Sequence, residues 1–228
     1  MSSSAARPRL VELAGPAGAG KSTVFRALVA RDATIEGRPS LRKREYAGVL
    51  ASEVLAVART LLRDRADLPR VTPEQIRMMA YLQALPRVLE RTDPPTSRTI
   101  ALDQGPIYLL TRRSLTNERL GAWRRRVVQT WAPLLDVVVW LDAPDALLVE
   151  RINARDKRHR LQGSAEGTAL EALAESRALY ERVLGELETG KPGWVVLPFD
   201  TSVRSADEIA DEVLTALDDR ETPLAHTA

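Results

Sequence analysis

The segment Gly15-Pro16-Ala17-Gly18-Ala19-Gly20-Lys21-Ser22 matches the pattern G-x-x-x-x-G-K-S/T in full and constrains the fold more than any other part of the chain. It follows a short apolar run, Leu10 to Ala14, and precedes a segment of helical pattern, Lys21 to about Arg31. A strand, a glycine turn and a helix in this order form a phosphate-binding loop, in which backbone N–H groups and the helix N-terminus face an anion. A strand-to-helix turn that uses glycine for packing alone is the alternative.

Individual residues of this loop have distinct expected roles. The Lys21 ammonium reaches the β- and γ-phosphates as a point charge, and the Ser22 hydroxyl is a ligand for Mg²⁺. We expect ATP to be bound by Gly15, Ala17, Gly18, Ala19, Gly20, Lys21, Ser22 and Thr23. Kinases, ATPases and GTPase switches share the loop, so the motif alone does not give the reaction. The N-K-x-D segment expected of a GTPase does not occur in the sequence.

The remaining sequence predicts an α/β fold, because short apolar runs alternate with longer segments of helical period. Further strands are predicted at Thr99 to Asp103, Val137 to Asp142 and Trp194 to Phe199. Two segments have apolar residues at helical spacing, which predicts two amphipathic helices whose apolar faces pack against the core. They are Leu50, Val54, Val57 and Leu61 in the first, and Leu120, Trp123, Val127, Trp131 and Leu134 in the second.

Two more helices are predicted from their start signals. Pro73 opens a helix after a Thr72 cap, and Pro86 within that helix should kink or divide it. Ser205, with Glu208 three residues later, is a capping-box signature for the last helix.

Composition excludes several classes of site. The chain of 228 residues has no cysteine, which excludes disulfides, thiolate zinc sites and thiol catalysis. Its net charge is only +2, which disfavours general coating of nucleic acid. Its longest apolar run is far shorter than the roughly 20 residues of a bilayer span. We therefore expect a cytoplasmic protein without nucleic-acid or membrane partners. One domain is expected over residues 9–218, with a disordered N-terminus (1–8), a surface loop (92–98) and a flexible tail (219–228).

Two acidic residues end predicted strands. Asp103 comes at the carboxyl end of a buried strand, where ligands of open α/β sheets bind. There a carboxylate can hold Mg²⁺ through water or remove a proton from an acceptor hydroxyl. A cap on the following helix is the alternative for Asp103. Asp142 precedes Ala143-Pro144, where a helix begins, so capping is the favoured role for Asp142.

Basic residues form three clusters. Arg151, Arg155 and Arg158 share one face if the helix after Pro144 continues that far. We expect residues of about 155–167 to form a mobile lid whose arginines neutralise charge in the transition state. A solvated basic face is the alternative. The cluster around Arg42, which also contains Arg38, is a candidate site for an anionic acceptor, whereas the run from Arg124 to Arg126 is expected to be a solvated helix surface.

The order of these elements resembles the nucleoside and nucleotide kinase group of P-loop proteins, of which thymidylate kinase is a member. The resemblance rests on the glycine loop, the strand ending in Asp103-Gln104, the strand ending in Asp142, and Glu150-Arg151-Ile152 with Arg155. It implies a three-layer sandwich with a parallel five-stranded sheet in the order 2-3-1-4-5, helices on both faces and an Arg-rich lid. It also implies that Arg151, Arg155 and Arg158 are lid arginines and that Thr201 and Ser202 lie near the adenine.

The chain departs from thymidylate kinases at Gln104, where those enzymes usually have Arg after the aspartate. Gln104 cannot make the charged bidentate contact with phosphate that Arg makes, although Arg42, Arg112 or Arg113 could substitute for it. A neutral hydroxyl as acceptor would give Asp103 a role as general base, because an alcohol must lose its proton.

The sequence therefore predicts ATP- and Mg²⁺-dependent phosphoryl transfer to a small acceptor such as a nucleoside, nucleotide, sugar or other small alcohol. The alternative is a nucleotide-dependent regulatory ATPase or switch that acts on a protein partner, and homodimerisation is left open. The expected catalytic residues are Lys21, Asp103, Arg151 and Arg155, with Ser22 and Asp103 for the metal, Arg158 and Thr201 for the nucleotide, and Arg42, Gln104 and Arg112 for the acceptor.

Overall fold

The computed structural model describes residues 8–39, 46–63, 71–91, 99–116, 120–155, 161–190 and 194–219. Several predictions fall outside these ranges: the N-terminal residues 1–7, Arg42, the loop 92–98, residues 156–160 of the lid with Arg158, and the tail from residue 220.

The centre of the fold is a five-stranded parallel sheet in the order β2-β3-β1-β4-β5, which confirms the predicted topology. The strands are β1 (Arg9–Ala14), β2 (Ile35–Gly37), β3 (Thr99–Leu102), β4 (Val137–Asp142) and β5 (Val195–Asp200). The sequence pattern had indicated four of them within a residue or two, whereas β2 has only three residues and no run long enough to be recognised.

Helices cover both faces of the sheet and give the predicted three layers. They are α1 (Lys21–Arg31), α2 (Ala47–Arg63), α3 (Pro73–Arg91), α4 (Pro106–Leu110), α5 (Gly121–Trp131), α6 (Asp145–Asn153), α7 (Glu166–Gly190) and α8 (Ala206–Asp218). One apolar core lies between the sheet and α2, α3, α4, α5 and α7. The other lies between the sheet and α1, α6 and α8.

Strand β1 separates these two cores, because successive side chains of a strand point to opposite faces. Leu10 and Ala14 belong to one core and Val11 to the other. Glu12 is on the same face as Leu10 and is fully buried. A carboxylate in the central strand is expensive to bury unless it is hydrogen-bonded, so its partners bear on the site described below.

The predicted buried face of α2 is wrong at Val54, which is exposed. The buried positions are Val49, Glu53 and Val57. Glu53 is 3% exposed and forms an ion pair with Arg87 of α3. An apolar pattern cannot locate a helix face that contains a charged residue, and here the ion pair is what allows Glu53 to be buried.

The predicted start signals of α3 and α8 are confirmed. Thr72 Oγ1 accepts a hydrogen bond from the Gln75 N–H at 3.2 Å, and Ser205 forms its capping box with Glu208. Pro86 does not divide α3, which continues through it. The predicted apolar face of α5 is buried at Leu120, Trp123, Val127 and Trp131.

The prediction that the run from Arg124 to Arg126 is a solvated surface is wrong at its first residue. Arg124 is buried, while Arg125 and Arg126 are exposed. Arg124 can be buried because its guanidinium binds Glu186 on α7. Within the described ranges, no helix is both long and apolar enough to cross a membrane.

The glycine loop is held between β4 and α6 by close backbone contacts. A Cβ on Gly15 would collide with the carbonyl oxygen of Leu141, and a Cβ on Gly18 would lie 2.8 Å from that of Leu148. Both glycines have positive φ. A Cβ on Gly20, which also has a positive φ of 83°, would have no neighbour within 4 Å.

This contrast predicts a difference in stability between two alanine variants. Gly20→Ala should cost about 1–2 kcal/mol, the penalty of a left-handed residue. Gly18→Ala should cost more, because the same penalty is joined by a collision with backbone that cannot move alone. Urea unfolding without nucleotide measures both variants, and equal losses of stability would contradict the close contact with α6.

Candidate active site

The glycine loop follows β1 at the carboxyl edge of the sheet and passes directly into α1. The N–H groups of Thr23 and Val24 already donate to the Gly20 carbonyl, at 2.9 and 3.0 Å. The first turn of α1 contains no acidic residue. The preceding amides of such a helix have no internal acceptor, so this end of α1 suits an anion such as a phosphate group.

Lys21 folds back over the loop. Its Nζ donates hydrogen bonds to the carbonyl oxygens of Gly15 and Pro16, at 2.6 and 2.7 Å. Burial, together with the charge of the nearby Arg155, lowers the pKa of Lys21 to about 8, although the carboxylates of Asp103 and Asp142 act to raise it. A buried ammonium close to the loop amides is placed to bind phosphate oxygens.

A cavity of about 450 Å³ opens beside the loop, at the edge that includes Gly15, Ala17 and Lys21. Its other walls come from the start of α3, from α4 and the turn after it, and from α7. They include Thr72, Gln75, Met78, Gln104, Tyr108, Thr111, Arg112, Leu179 and Tyr180. The larger cavity therefore has one end at the glycine loop and a mixed polar and apolar remainder.

A second cavity, of about 440 Å³, lies against a different part of the same loop. Its lining residues include Gly18, Gly20, Thr23, Arg151, Thr201, Arg204 and Ser205. Arg155 borders both cavities. The structure thus brings together the predicted nucleotide residues of the loop, Arg151 and Thr201, and it places Arg155 between two spaces that meet at the phosphate loop.

Arg151 connects the loop after β5 to the glycine loop. Its guanidinium donates to Thr201 Oγ1 at 2.8 Å and to the Thr201 carbonyl at 2.9 Å, and it approaches the Gly18 carbonyl at 3.5 Å. In this arrangement Arg151 holds the walls of the second cavity. Helix α7 begins at Glu166, inside the segment predicted as a lid.

The expected helix cap at Asp142 is wrong. Its carboxylate accepts hydrogen bonds from Arg177 of α7, at 2.7 and 3.0 Å, and from the Ala143 N–H at 2.8 Å. The N-cap position of α6 belongs to Pro144 and has no side-chain hydrogen bond. Hydrogen bonding to Asp142 raises the pKa of Arg177 above its usual range, and Asp145 contributes to that shift.

Asp103 differs from Asp142 in its surroundings. It is half-buried after β3, and its carboxylate makes no hydrogen bond with any other described residue. It does not cap α4, whose N-terminal amides are bound by Glu12 instead. Its carboxylate acts on the pKa of Lys21. Gln104, and not Asp103 itself, reaches the wall of the larger cavity.

The arginines expected near an acceptor differ in how free they are. Arg113 is occupied by an ion pair with Glu175, with Nε and Oε1 2.7 Å apart. Arg112 lies over the ring of Tyr108, 5.8 Å from its centroid, and lines the larger cavity. Arg42 lies outside the described residues.

Arg38, which belongs to the predicted cluster around Arg42, contacts the segment that follows β3. Its guanidinium donates to the Gln104 carbonyl at 3.3 Å and lies 5.1 Å from the ring centroid of Tyr81. Burial raises the pKa of Tyr81 to about 12. The sequence offered one signal for Arg38: it lies a few residues after α1, the helix that follows the glycine loop, and so near the edge of the sheet.

The residues present fit a magnesium ion bound mainly through phosphate oxygens. The described residues contain no group of three or more His, Cys, Asp or Glu side chains that could hold a metal. Mg²⁺ does not need such a group, because it keeps several waters and takes one or two protein ligands beside substrate phosphates. The exposed Ser22 hydroxyl at the start of α1 is the kind of oxygen ligand this geometry uses.

Comparison with solved structures identifies the fold. A deoxyadenosine kinase from M. mycoides with bound dCTP matches with a TM-score of 0.52 and 14% sequence identity, over 92% of this chain and 99% of that chain. A thymidylate kinase from Candida albicans matches with a TM-score of 0.53 and 12% identity, over 94% of this chain and 93% of that chain.

These similarities confirm that the chain has the fold of the P-loop nucleoside and nucleotide kinases, as the sequence resemblance implied. At such low identity they establish the fold and not the reaction. No protein-family model and no curated protein sequence matches this chain.

The pKa of Lys21 predicts a pH-dependent affinity for nucleotide. A lysine with a pKa near 8 carries its charge below pH 8 and loses it above. We expect the Kd of Mg·ATP to rise about tenfold between about pH 7.5 and 9.5, because each pKa unit corresponds to about 1.4 kcal/mol. Isothermal titration calorimetry measures this. Lys21→Gln should bind Mg·ATP weakly, with a Kd that does not change with pH. If this variant kept the wild-type dependence of Kd on pH, the titrating group would be a residue other than Lys21.

Proposed function

We propose that this chain is an ATP- and Mg²⁺-dependent kinase that transfers a phosphoryl group to a hydroxyl of a small molecule. The observation that carries the proposal is the cavity of about 450 Å³ that opens onto Gly15, Ala17 and Lys21 of the phosphate loop. Small-molecule sites typically have volumes of about 300–1,000 Å³ and a few placed polar groups in a mixed lining. A switch that acts through a protein partner has no need of such a cavity.

The second cavity supports a nucleotide donor on the other side of the loop. It is bordered by Gly18, Gly20 and Thr23, and Arg151 fixes Thr201 against it. A nucleoside in this cavity would place its phosphates along the loop, directed toward the larger cavity. The two solved structures described above are named as a deoxyadenosine kinase and a thymidylate kinase, and their activities are consistent with this division.

The reaction can be written for these residues. The acceptor hydroxyl oxygen forms a bond to the γ-phosphorus, the bond from that phosphorus to the β–γ bridging oxygen breaks, and the nucleoside diphosphate leaves. Because Asp103 does not itself line the cavity, the hydroxyl proton would pass through one water to its carboxylate, which has no hydrogen bond to give up within the described residues. Asp142 is less suited, because Arg177 already holds both of its oxygens.

Positive charge at the junction of the cavities stabilises the transferring group. Lys21 exchanges its contacts with the Gly15 and Pro16 carbonyls for phosphate oxygens, and Arg155 borders both cavities. Mg²⁺, held by Ser22 and the phosphates, would neutralise charge on the β- and γ-oxygens. A buried site increases the effect of each of these charges.

The acceptor wall favours a molecule with a hydroxyl and both polar and apolar surface. Gln104 presents an amide to the cavity, Arg112 a cation, and Met78 and Tyr180 apolar surface. A nucleoside, nucleotide, sugar or other small alcohol would satisfy this lining. Incubation with Mg·ATP and a panel of such acceptors, followed by mass spectrometry for products heavier by one phosphoryl group, tests the proposal. ATP hydrolysis without any phosphorylated acceptor would contradict it.

Asp103→Asn tests the assignment of the base. The variant should lower kcat about 100-fold or more, since general bases contribute about 10²–10⁴. Its melting temperature should stay the same, because the carboxylate makes no hydrogen bond to lose within the described residues. Asp142→Asn is the matched control and should lower the melting temperature, because it weakens the bidentate contact with Arg177.

A magnesium titration of Asp103→Asn separates the two chemical roles of this carboxylate. If Asp103 is the base, the variant keeps the wild-type Mg²⁺ concentration for half-maximal rate. A large increase in that concentration would make Asp103 a metal ligand instead, and unchanged turnover would remove it from the mechanism.

A further inference from the structure

The short helix α4 supplies part of the acceptor-side wall of the larger cavity. Tyr108 lies within it, and Thr111 and Arg112 follow it. With only five residues, α4 has too few internal hydrogen bonds to be stable by itself. Its position must therefore be set by the elements packed around it.

At the N-terminal end of α4, the carboxylate of Glu12 accepts hydrogen bonds from the N–H groups of Ile107 and Tyr108, at 3.1 and 3.0 Å. These belong to the amides for which a helix has no internal acceptor. Glu12 is 0% exposed, so water cannot take its place. The carboxyl group also lies at the positive end of the helix dipole, which favours its ionised form.

At the C-terminal end of α4, Arg124 makes the opposite contact. Its Nη1 donates to the Leu110 carbonyl at 2.7 Å, and its Nε donates to Glu186 at 2.8 Å. A buried cation therefore lies at the negative end of the same helix. The two charges come from different elements, β1 and α5, so α4 is bound from both sides.

Gly105, just before α4, shows how closely Glu12 approaches. A Cβ there would lie 2.6 Å from the Glu12 carboxyl carbon. The backbone of Gly105, with φ −91° and ψ −159°, is open to any residue, so the glycine is required by this contact and not by its conformation.

The charge of Glu12 depends on α4. Burial raises the pKa of Glu12 to about 8, while the backbone amides of Tyr108, Ile107 and Gly105 act to lower it. The hydroxyls of Tyr81 on α3 and Tyr180 on α7 lie near enough for Glu12 to raise the pKa of each. The amides of α4 are thus the groups that favour the charged carboxylate.

We propose that Glu12 and Arg124 are positioning residues that hold α4 at both ends and so fix the acceptor-side wall relative to the phosphate loop. Glu12 lies on β1, the strand that leads directly into that loop. The same strand therefore fixes the position of the acceptor-side wall relative to the loop that would bind the donor phosphates. The description of this wall as an acceptor site rests on the proposed function.

Hydrogen–deuterium exchange of the full chain tests the contact directly. In Glu12→Gln one carboxylate oxygen becomes an amide donor that faces another donor, so exchange at Ile107 and Tyr108 should become about tenfold faster. Glu53→Gln is the matched control, since it changes another buried carboxylate whose partner is Arg87 and not α4. Wild-type exchange in Glu12→Gln, or the same increase in Glu53→Gln, would overturn the proposal.

Further variants approach the same helix from other sides. Gly105→Ala keeps the carboxylate but displaces it, and should speed exchange at the same two amides, whereas Gly121→Ala meets only ordinary contacts and should not. Arg124→Met should speed exchange of the Thr111 N–H, which bonds to the Ile107 carbonyl across α4. Wild-type exchange in both Gly105→Ala and Arg124→Met would contradict the proposal even if Glu12→Gln failed to fold.

Kinetics with an acceptor that the wild-type protein phosphorylates supplies the functional readout. Glu12→Gln should raise the KM for that acceptor about tenfold and leave the KM for ATP within about twofold. An equal rise in both KM values, or no rise in either, would overturn the positioning role. If the wild-type protein phosphorylates no acceptor, the proposed function fails, and the exchange data alone still decide whether α4 is held as described.

Discussion

The close contact of the glycine loop with the backbone of β4 and α6 sets the geometry of the whole site. Gly15 lies against the Leu141 carbonyl and Gly18 against Leu148, at distances that leave no space for a side chain. The loop is therefore fixed at the carboxyl edge of the sheet, and α1 starts from a defined point. Both cavities follow from this position, because each takes part of its lining from the same loop.

Around that loop, ionisable side chains are hydrogen-bonded to groups on elements that are far apart in sequence. Asp142 binds Arg177, Glu12 binds the amides of α4, and Arg124 binds Glu186. Pairing of this kind keeps the charges tolerable inside the protein and at the same time fixes the elements that carry them. Asp103 stands out against this pattern, because its carboxylate has no hydrogen bond within the described residues. A half-buried carboxylate free to change partners is suited to chemistry.

Most of the fold could be predicted from local patterns. The loop from Gly15 to Ser22, the strands β1, β3, β4 and β5, and the caps at Thr72 and Ser205 depend on residues adjacent in sequence. The residues that were missed or misassigned are charges buried by distant partners. Because Glu53 is charged, the apolar pattern of α2 did not indicate that this position is buried, and Arg124 was expected to be exposed to solvent. Neither partner, Arg87 nor Glu186, can be recognised before the helices are packed. Glu12 could be noticed in the sequence, because it is the one charged residue in the apolar run from Leu10 to Ala14.

The most direct test of the account is a crystal structure with Mg²⁺ and a non-hydrolysable ATP analogue. We expect the triphosphate to lie along the amides from Gly15 to Ser22, with the Lys21 ammonium moved from the Gly15 and Pro16 carbonyls to phosphate oxygens. We also expect the nucleoside beside Thr201 and the terminal phosphate at the larger cavity. A triphosphate bound elsewhere, or a loop that leaves Lys21 on its own carbonyls at saturating nucleotide, would contradict the central claim.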